Sequence, residues 1–316
     1  MRNTCLNKVH DLAKRDERVV FIGSDLSPDL LGEMKREMPD RYYMEGITEA
    51  NVIGMAAGMA MEGYVPYVNT IATFITRRCY EQVAVDLCLH DLPVRLIGNG
   101  GGLVYAPLGP THLAIEDIAI MRALPNMAVV AVSDAEEMKS FMDVSLDWPH
   151  PIYIRLAKGG EKVISRKENG FAIGKAIPMR RARTRRPVVL MATGVMTTNC
   201  LAAAELLERD GIDASVLHVH TVKPLDTEAI LEHASGAELV VTVEEGIAIG
   251  GFGSAVTDLL VQELGSSLPA MRRLALPDEF PHHYGLQDEH FELYGLAPHQ
   301  IAASVSGAVQ KKELVA

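Results

Sequence analysis

The chain has 316 residues, room for about two domains of roughly 150 residues each. Hydrophobic residues make up 48% of it and charged residues 22%, a globular composition that excludes disorder. Its formal net charge of -11 leaves no basic footprint for nucleic acid or for an anionic membrane. The four cysteines, Cys5, Cys79, Cys88 and Cys200, include no C-x-x-C pair, which fits a reduced chain better than a disulfide framework. The start of the chain lacks the apolar core of a signal peptide. No uninterrupted apolar run reaches the ~18 residues of a membrane span. A cytoplasmic protein is expected.

In chain order, Val19-Val20-Phe21-Ile22, Val94 to Gly98, Ala128 to Val132 and Pro151 to Ile154 read as buried strands, being continuous runs rich in β-branched residues. Helix-like segments separate them, so the first 160 residues predict an α/β domain on a mainly parallel sheet. Residues 161–186 break the pattern. They end in the basic run Arg180-Arg181-Ala182-Arg183-Thr184-Arg185-Arg186 and read as a solvated linker, with a phosphate-binding patch as the alternative. Periodicity resumes at Val188 to Ala192 (strand), Asn199 to Leu207 (helix), Ala214 to Val219 and Leu239 to Val243 (strands). A second, smaller α/β domain is expected over 187–316.

Several segments carry candidate chemistry. In Gly46-Ile47-Thr48-Glu49-Ala50-Asn51, Thr48 is placed to cap a helix and Glu49 to stand in its first turn. Ala50, Gly54, Ala57 and Gly58 follow at helical spacing. Glycine inside a helix costs about 1 kcal/mol relative to alanine, so this bare stripe predicts close approach by another backbone, within the chain or from a second subunit. By its chemistry alone Glu49 reads as a carboxylate favoured at a helix N-terminus. Gly250-Gly251-Phe252-Gly253 lacks dinucleotide-fingerprint spacing and reads as a tight strand-to-helix turn. His218, His220 and His282-His283 form no ligand set at metal spacing.

The pattern continues with Tyr67-Val68-Asn69-Thr70-Ile71-Ala72-Thr73-Phe74, Arg77 to Val83, Gly98-Asn99-Gly100-Gly101-Gly102 and Leu108-Gly109-Pro110-Thr111-His112. Val222-Lys223-Pro224-Leu225-Asp226, Val243-Glu244-Glu245 and Gly250-Gly251-Phe252-Gly253-Ser254 complete it. In this order the chain resembles the pyrimidine-binding and C-terminal domains of the transketolase family, and the related deoxyxylulose phosphate synthases.

The resemblance implies that Glu49 hydrogen-bonds the aminopyrimidine of thiamine diphosphate and that Phe74 stacks on it, with Asp25 near the cofactor and the dimer interface. It implies that His112 contacts donor oxygens or shuttles a proton, and that Arg155, with Arg2 as a second candidate, binds an anionic substrate tail. The implied reaction moves a two-carbon ketol unit from a ketose, phosphorylated or not, to an aldehyde. A 2-oxoacid dehydrogenase β-like subunit, a deoxyxylulose phosphate synthase-like subunit and a non-catalytic stabilising subunit are the alternatives.

Three positions depart from the sugar-phosphate pattern: Gly100 in place of a histidine, Leu108 in place of an aspartate, and Asp29 in place of a serine. The family's diphosphate-binding Gly-Asp-Gly segment occurs nowhere in the 316 residues. The resemblance therefore implies an N-terminal partner subunit that holds the diphosphate through Mg2+ or Ca2+, no metal ligands in this chain, an α2β2 assembly, and self-association through the first domain.

Overall fold

The computed structural model describes residues 1–24, 26 and 30–313, with side chains up to residue 310. Asp25 and Asp29 lie outside the described residues. Twelve strands are described: β1 (Val19–Gly23), β2 (Tyr42–Met44), β3 (Val65–Ile71), β4 (Arg95–Asn99), β5 (Ala128–Ala131), β6 (Ile152–Leu156), β7 (Ile177–Arg180), β8 (Val188–Ala192), β9 (Ala214–His218), β10 (Thr221–Lys223), β11 (Leu239–Ile247) and β12 (Ala270–Leu276). They build two helix-flanked sheets, with orders β10-β5-β6-β4-β3-β1-β2 and β12-β11-β8-β9-β7. Pairing is parallel except where β10 meets β5 and β7 meets β9. This is the expected pair of mainly parallel sheets.

The fully buried strands β1, β4, β5, β6, β8 and β9 lie where the apolar runs predict them. Two strands depart from the expected division. β7 falls inside the span read as linker, yet it pairs with β9 and closes one edge of the second sheet. β10 comes from the second half of the chain and completes the first sheet. The rest of the connection is also held. Asp134 accepts hydrogen bonds from the Ile164 and Ser165 amides at 2.8 and 2.7 Å, and Arg180 and Arg183 of the basic run pair with Glu208.

The two halves share an apolar core. One cluster runs from Val52, Ile53 and Ala56 through Leu96 and Tyr153 to Met191, Leu217 and Phe252. Polar contacts close the same seam. Arg155 on β6 is 5% exposed. It donates from Nε to Asp117 at 2.9 Å, and from Nη2 to the Glu245 carbonyl at 2.5 Å and the Ala114 carbonyl at 3.3 Å. Burial works against its charge, but Asp117 and Glu245 outweigh that and raise its pKa. Across the seam Glu137 pairs with His218 at 2.9 Å, and His218 bonds Thr197 at 2.7 Å.

The glycine run after β4 is a seat for large side chains. A Cβ on Gly101 would fall 2.3 Å from Arg155, and one on Gly102 2.3 Å from Glu245. Gly102 also has φ +65°, in the left-handed region that glycine favours. Gly101 thus seats Arg155 of its own domain, and Gly102 lets Glu245 of the second domain approach.

Arg155→Met strands the buried Asp117 carboxylate, so a loss of about 3–5 kcal/mol is expected, read as a lowered urea midpoint. Burial pushes the Glu245 carboxyl from 4.5 up to about 7, against Arg155, Gln287 and the Leu103 amide, which favour the charged form. It therefore holds its proton more tightly in the folded chain, and its stabilisation is complete below pH 4.5 and lost as pH rises through about 7. Glu245→Gln should remove that component, on the order of 1–3 kcal/mol, so wild type loses more stability than the variant between pH 5 and pH 8 in paired denaturation curves.

Candidate active site

In the first sheet the order reverses at β1: β2 pairs on one side of it and β3 on the other. Open α/β sheets leave a crevice at such a reversal, beyond the carboxyl ends of the strands. Here those ends supply Ser24 after β1 and Asn69 and Thr70 at the end of β3. With Glu49, they line a small cavity floored by Val52, Ile53 and Ile75. Ser24 donates to Thr70 across it at 3.0 Å. Asn99 on β4 fastens the neighbouring strand end, donating to the Asn69 side chain at 2.6 Å and the Thr70 carbonyl at 3.0 Å. The Asn69 amide nitrogen is buried with no partner among the described atoms.

Glu49 is the first residue of the helix Glu49–Met61 and is 4% exposed. Thr48 holds the N-cap position but makes no side-chain cap; its hydroxyl donates back to the Glu45 carbonyl at 2.9 Å. The Glu49 carboxylate accepts from Arg78 Nη1 at 2.9 Å. The Arg78 guanidinium lies over the Phe74 ring, 4.1 Å from its centroid. His112 stands edge-on to that ring at 5.3 Å. Glu49, Phe74 and His112, far apart in sequence, meet at one mouth.

The loop bearing His112 is fixed at both ends. Gly102 and Ala114 exchange backbone hydrogen bonds, and Arg77 reaches Glu116 and the Leu113 carbonyl, the latter at 2.7 Å. Gly109, with φ +79°, lies against Tyr284 of the second domain. Leu108, Phe280 and Tyr284 are all exposed.

The remaining candidates stand elsewhere. Arg155 is held in the seam, its Nε by Asp117 and its Nη2 by two carbonyls. Arg2 is half-buried beside Tyr105. Tyr105 fills the space that a side chain at Gly100 would need, since a Cβ there would fall 2.1 Å from its ring. Among the described residues no backbone outside the helix lies within 4 Å of a Cβ built on Gly54 or Gly58; of the bare stripe Ala50, Gly54 and Gly58 are exposed, while Ala57 faces the core with Val52, Ile53, Ala56 and Ala60.

Sequence reasoning gave no role to Arg78, Asn69, Asn99 or Asp117. The first three lie inside or beside the quoted segments, but only the folded strand ends show what they touch. Among the described residues, no group of three or more His, Cys, Asp or Glu side chains could hold a metal ion. No helix among them is long and apolar enough to cross a membrane.

Residues 1–160 match the transketolase pyrimidine binding domain and residues 178–301 the transketolase C-terminal domain. The chain belongs to the transketolase family. It is 34% identical to the 6-deoxy-6-sulfo-D-fructose transketolase subunit SqwH of Clostridium sp. (strain MSTE9), over 99% of this chain and 95% of that subunit. It is 36% identical to a 1-deoxy-D-xylulose-5-phosphate synthase of Caldanaerobacter subterraneus subsp. tengcongensis, over 93% of this chain but 46% of that enzyme. Among solved structures, a split-gene transketolase in an inactive β4 tetramer superposes with TM-score 0.88 and 30% identity, covering 98% of both chains.

The Asn69–Asn99 pair fastens the ends of β3 and β4 beside the crevice, so Asn99→Ala should lower stability by about 1–3 kcal/mol. Denaturant unfolding of the purified chain measures this, with a parallel drop expected for Asn99→Leu.

Proposed function

We propose that this chain is the pyrimidine-side subunit of a two-chain, thiamine diphosphate-dependent transketolase that moves a two-carbon ketol unit from a ketose to an aldehyde. The observation that carries the reading is a buried carboxylate, Glu49, at the carboxyl-end crevice of a parallel sheet, beside a half-buried aromatic face, Phe74. These residues fit the cofactor's ring. The Arg78 guanidinium already lies against the carboxylate and over the phenylalanine ring, and the unpartnered Asn69 side-chain nitrogen adds a donor at the wall of the cavity that Glu49 lines. When bound, thiamine diphosphate supplies a carbon nucleophile that takes up the ketol unit and stabilises the negative charge left behind.

The chain's own residues bind and orient. Glu49 accepts a hydrogen bond from the ring edge and sets its protonation, a task suited to a carboxylate shielded from water. Phe74 offers its face for stacking, worth ~0.5–1.5 kcal/mol beyond the area it buries. His112, at the edge of Phe74 with Nδ1 bonded to the Thr111 hydroxyl at 2.9 Å, is placed to hold or move a proton on a substrate oxygen. Asp25, just past the end of β1, remains a cofactor-side candidate.

For the substrate tail, Arg2 and Arg155 are the cationic candidates, Arg155 with its Nε and Nη2 donors already engaged in the seam. The exposed Leu108, Phe280 and Tyr284 give the mouth an apolar rim. The diphosphate and its Mg2+ or Ca2+ are assigned to an N-terminal partner subunit in an α2β2 assembly; the existence of a second chain is what the subunit named SqwH and the split-gene transketolase support. The exposed Ala50, Gly54 and Gly58 stripe is assigned to pairing between two copies of this chain.

Reconstitution with an N-terminal transketolase subunit tests the reading. Glu49→Gln should keep the fold and the assembly while lowering kcat about 10²–10⁴-fold. Turnover equal to wild type would instead leave the chain as a stabilising subunit. Product formed from pyruvate rather than from a ketose would move it to the synthase class.

A further inference from the structure

Two adjacent arginines leave the segment after Phe74 in different directions. Arg77 is anchored by Glu116 and the Leu113 carbonyl, and its guanidinium lies 5.7 Å from the Phe280 ring centre. Arg78 has no such anchor. Its described contacts are the Glu49 carboxylate at 2.9 Å and the Phe74 ring at 4.1 Å, and its side chain is 43% exposed. It is a long, partly solvated side chain whose flat head is lodged between two buried or half-buried groups.

Those two groups are the ones that the proposed function assigns to the cofactor's aminopyrimidine. A guanidinium resembles that ring in the features the pocket reads. It is planar, it presents N–H donors along one edge to a carboxylate, and its face stacks on an aromatic ring. Glu49 Oε2 and one face of Phe74 cannot serve both at once.

We propose that Arg78 is a built-in placeholder, occupying the aminopyrimidine position by bonding Glu49 and stacking on Phe74, and that it must swing out before the cofactor's ring can enter. The inference rests on the cofactor reading above and goes beyond it. The residue gives the chain a closed state in which a buried carboxylate is never left unpaired, a state costly without such a partner. The cofactor then binds only the open fraction, so its apparent dissociation constant is raised by the inverse of that fraction. With an open fraction on the order of one tenth, removing the placeholder tightens cofactor binding about tenfold. The partly exposed side chain has room to leave, whereas the doubly anchored Arg77 does not.

The experiment is a calorimetric titration of thiamine diphosphate, with Mg2+ present, into the complex of this chain with its N-terminal partner. It is paired with urea unfolding of the chain alone. Arg78→Ala should lower the dissociation constant about tenfold while lowering the urea midpoint of the chain without cofactor. Arg78→Lys, which keeps the charge but loses the planar fork, should fall between wild type and Arg78→Ala in affinity. An unchanged or weakened affinity in Arg78→Ala, with wild type binding normally, would overturn the placeholder and leave the cofactor reading intact. Weakened binding would make Arg78 a ligand of the cofactor instead. Absence of binding by wild type would remove the cofactor reading, and the placeholder with it.

Discussion

A parallel sheet whose strand order reverses beside β1 cannot close over its own carboxyl edge, and the resulting crevice is the constraint on which the rest of the structure depends. Its walls are strand ends, so the polar groups there are backbone ends and short side chains. Asn99 bonds Asn69 and Thr70, and Ser24 bonds Thr70. Into this crevice the helix Glu49–Met61 delivers a carboxylate at its first residue, where the helix dipole favours a negative charge. A buried carboxylate needs a cationic or hydrogen-donating partner. In this chain the partner is Arg78, and the same need makes the crevice receptive to a flat, donor-edged ring.

The second half of the chain contributes by holding the crevice's loops in place. β10 completes the first sheet, and its last residue, Lys223, reaches the Arg122 carbonyl at 3.2 Å. Glu245, two β11 positions after Val243, takes the Leu103 amide at 2.8 Å and the Gln287 side chain at 2.6 Å. Arg155 locks Asp117 to the same strand. The loop that carries His112 is therefore clamped between two domains, so the site depends on the seam for its geometry.

The fold was legible wherever burial on both faces wrote a continuous apolar run, as in β1, β4, β8 and β9. It was not legible where other demands intervened. β3 carries Pro66, Asn69 and Thr70, because its end serves the crevice. β12 contains exposed Arg272 and Arg273, and β7 and β10 are short antiparallel edge strands with mixed patterns. Of the site, Glu49, Phe74 and His112 followed from resemblance, and the structure brings them together. Arg155 matched an anion-binding position, but its partner Asp117 is 38 residues away in sequence, and no local pattern signals such a contact. Gly100 is similar: Tyr105, five residues on, fills the space beside it. Arg78 carries no signal beyond its place in a recognisable segment, since its meaning lies in the two groups it touches.

On the proposed function, this chain supplies the ring-binding half of a cofactor site and a second polypeptide the charged half. Equilibrium binding of thiamine diphosphate, measured for the 316-residue chain alone and again with an N-terminal transketolase subunit and Mg2+, tests it most directly. Saturable binding is expected only for the pair. Tight binding and ketol transfer by the chain on its own would contradict it.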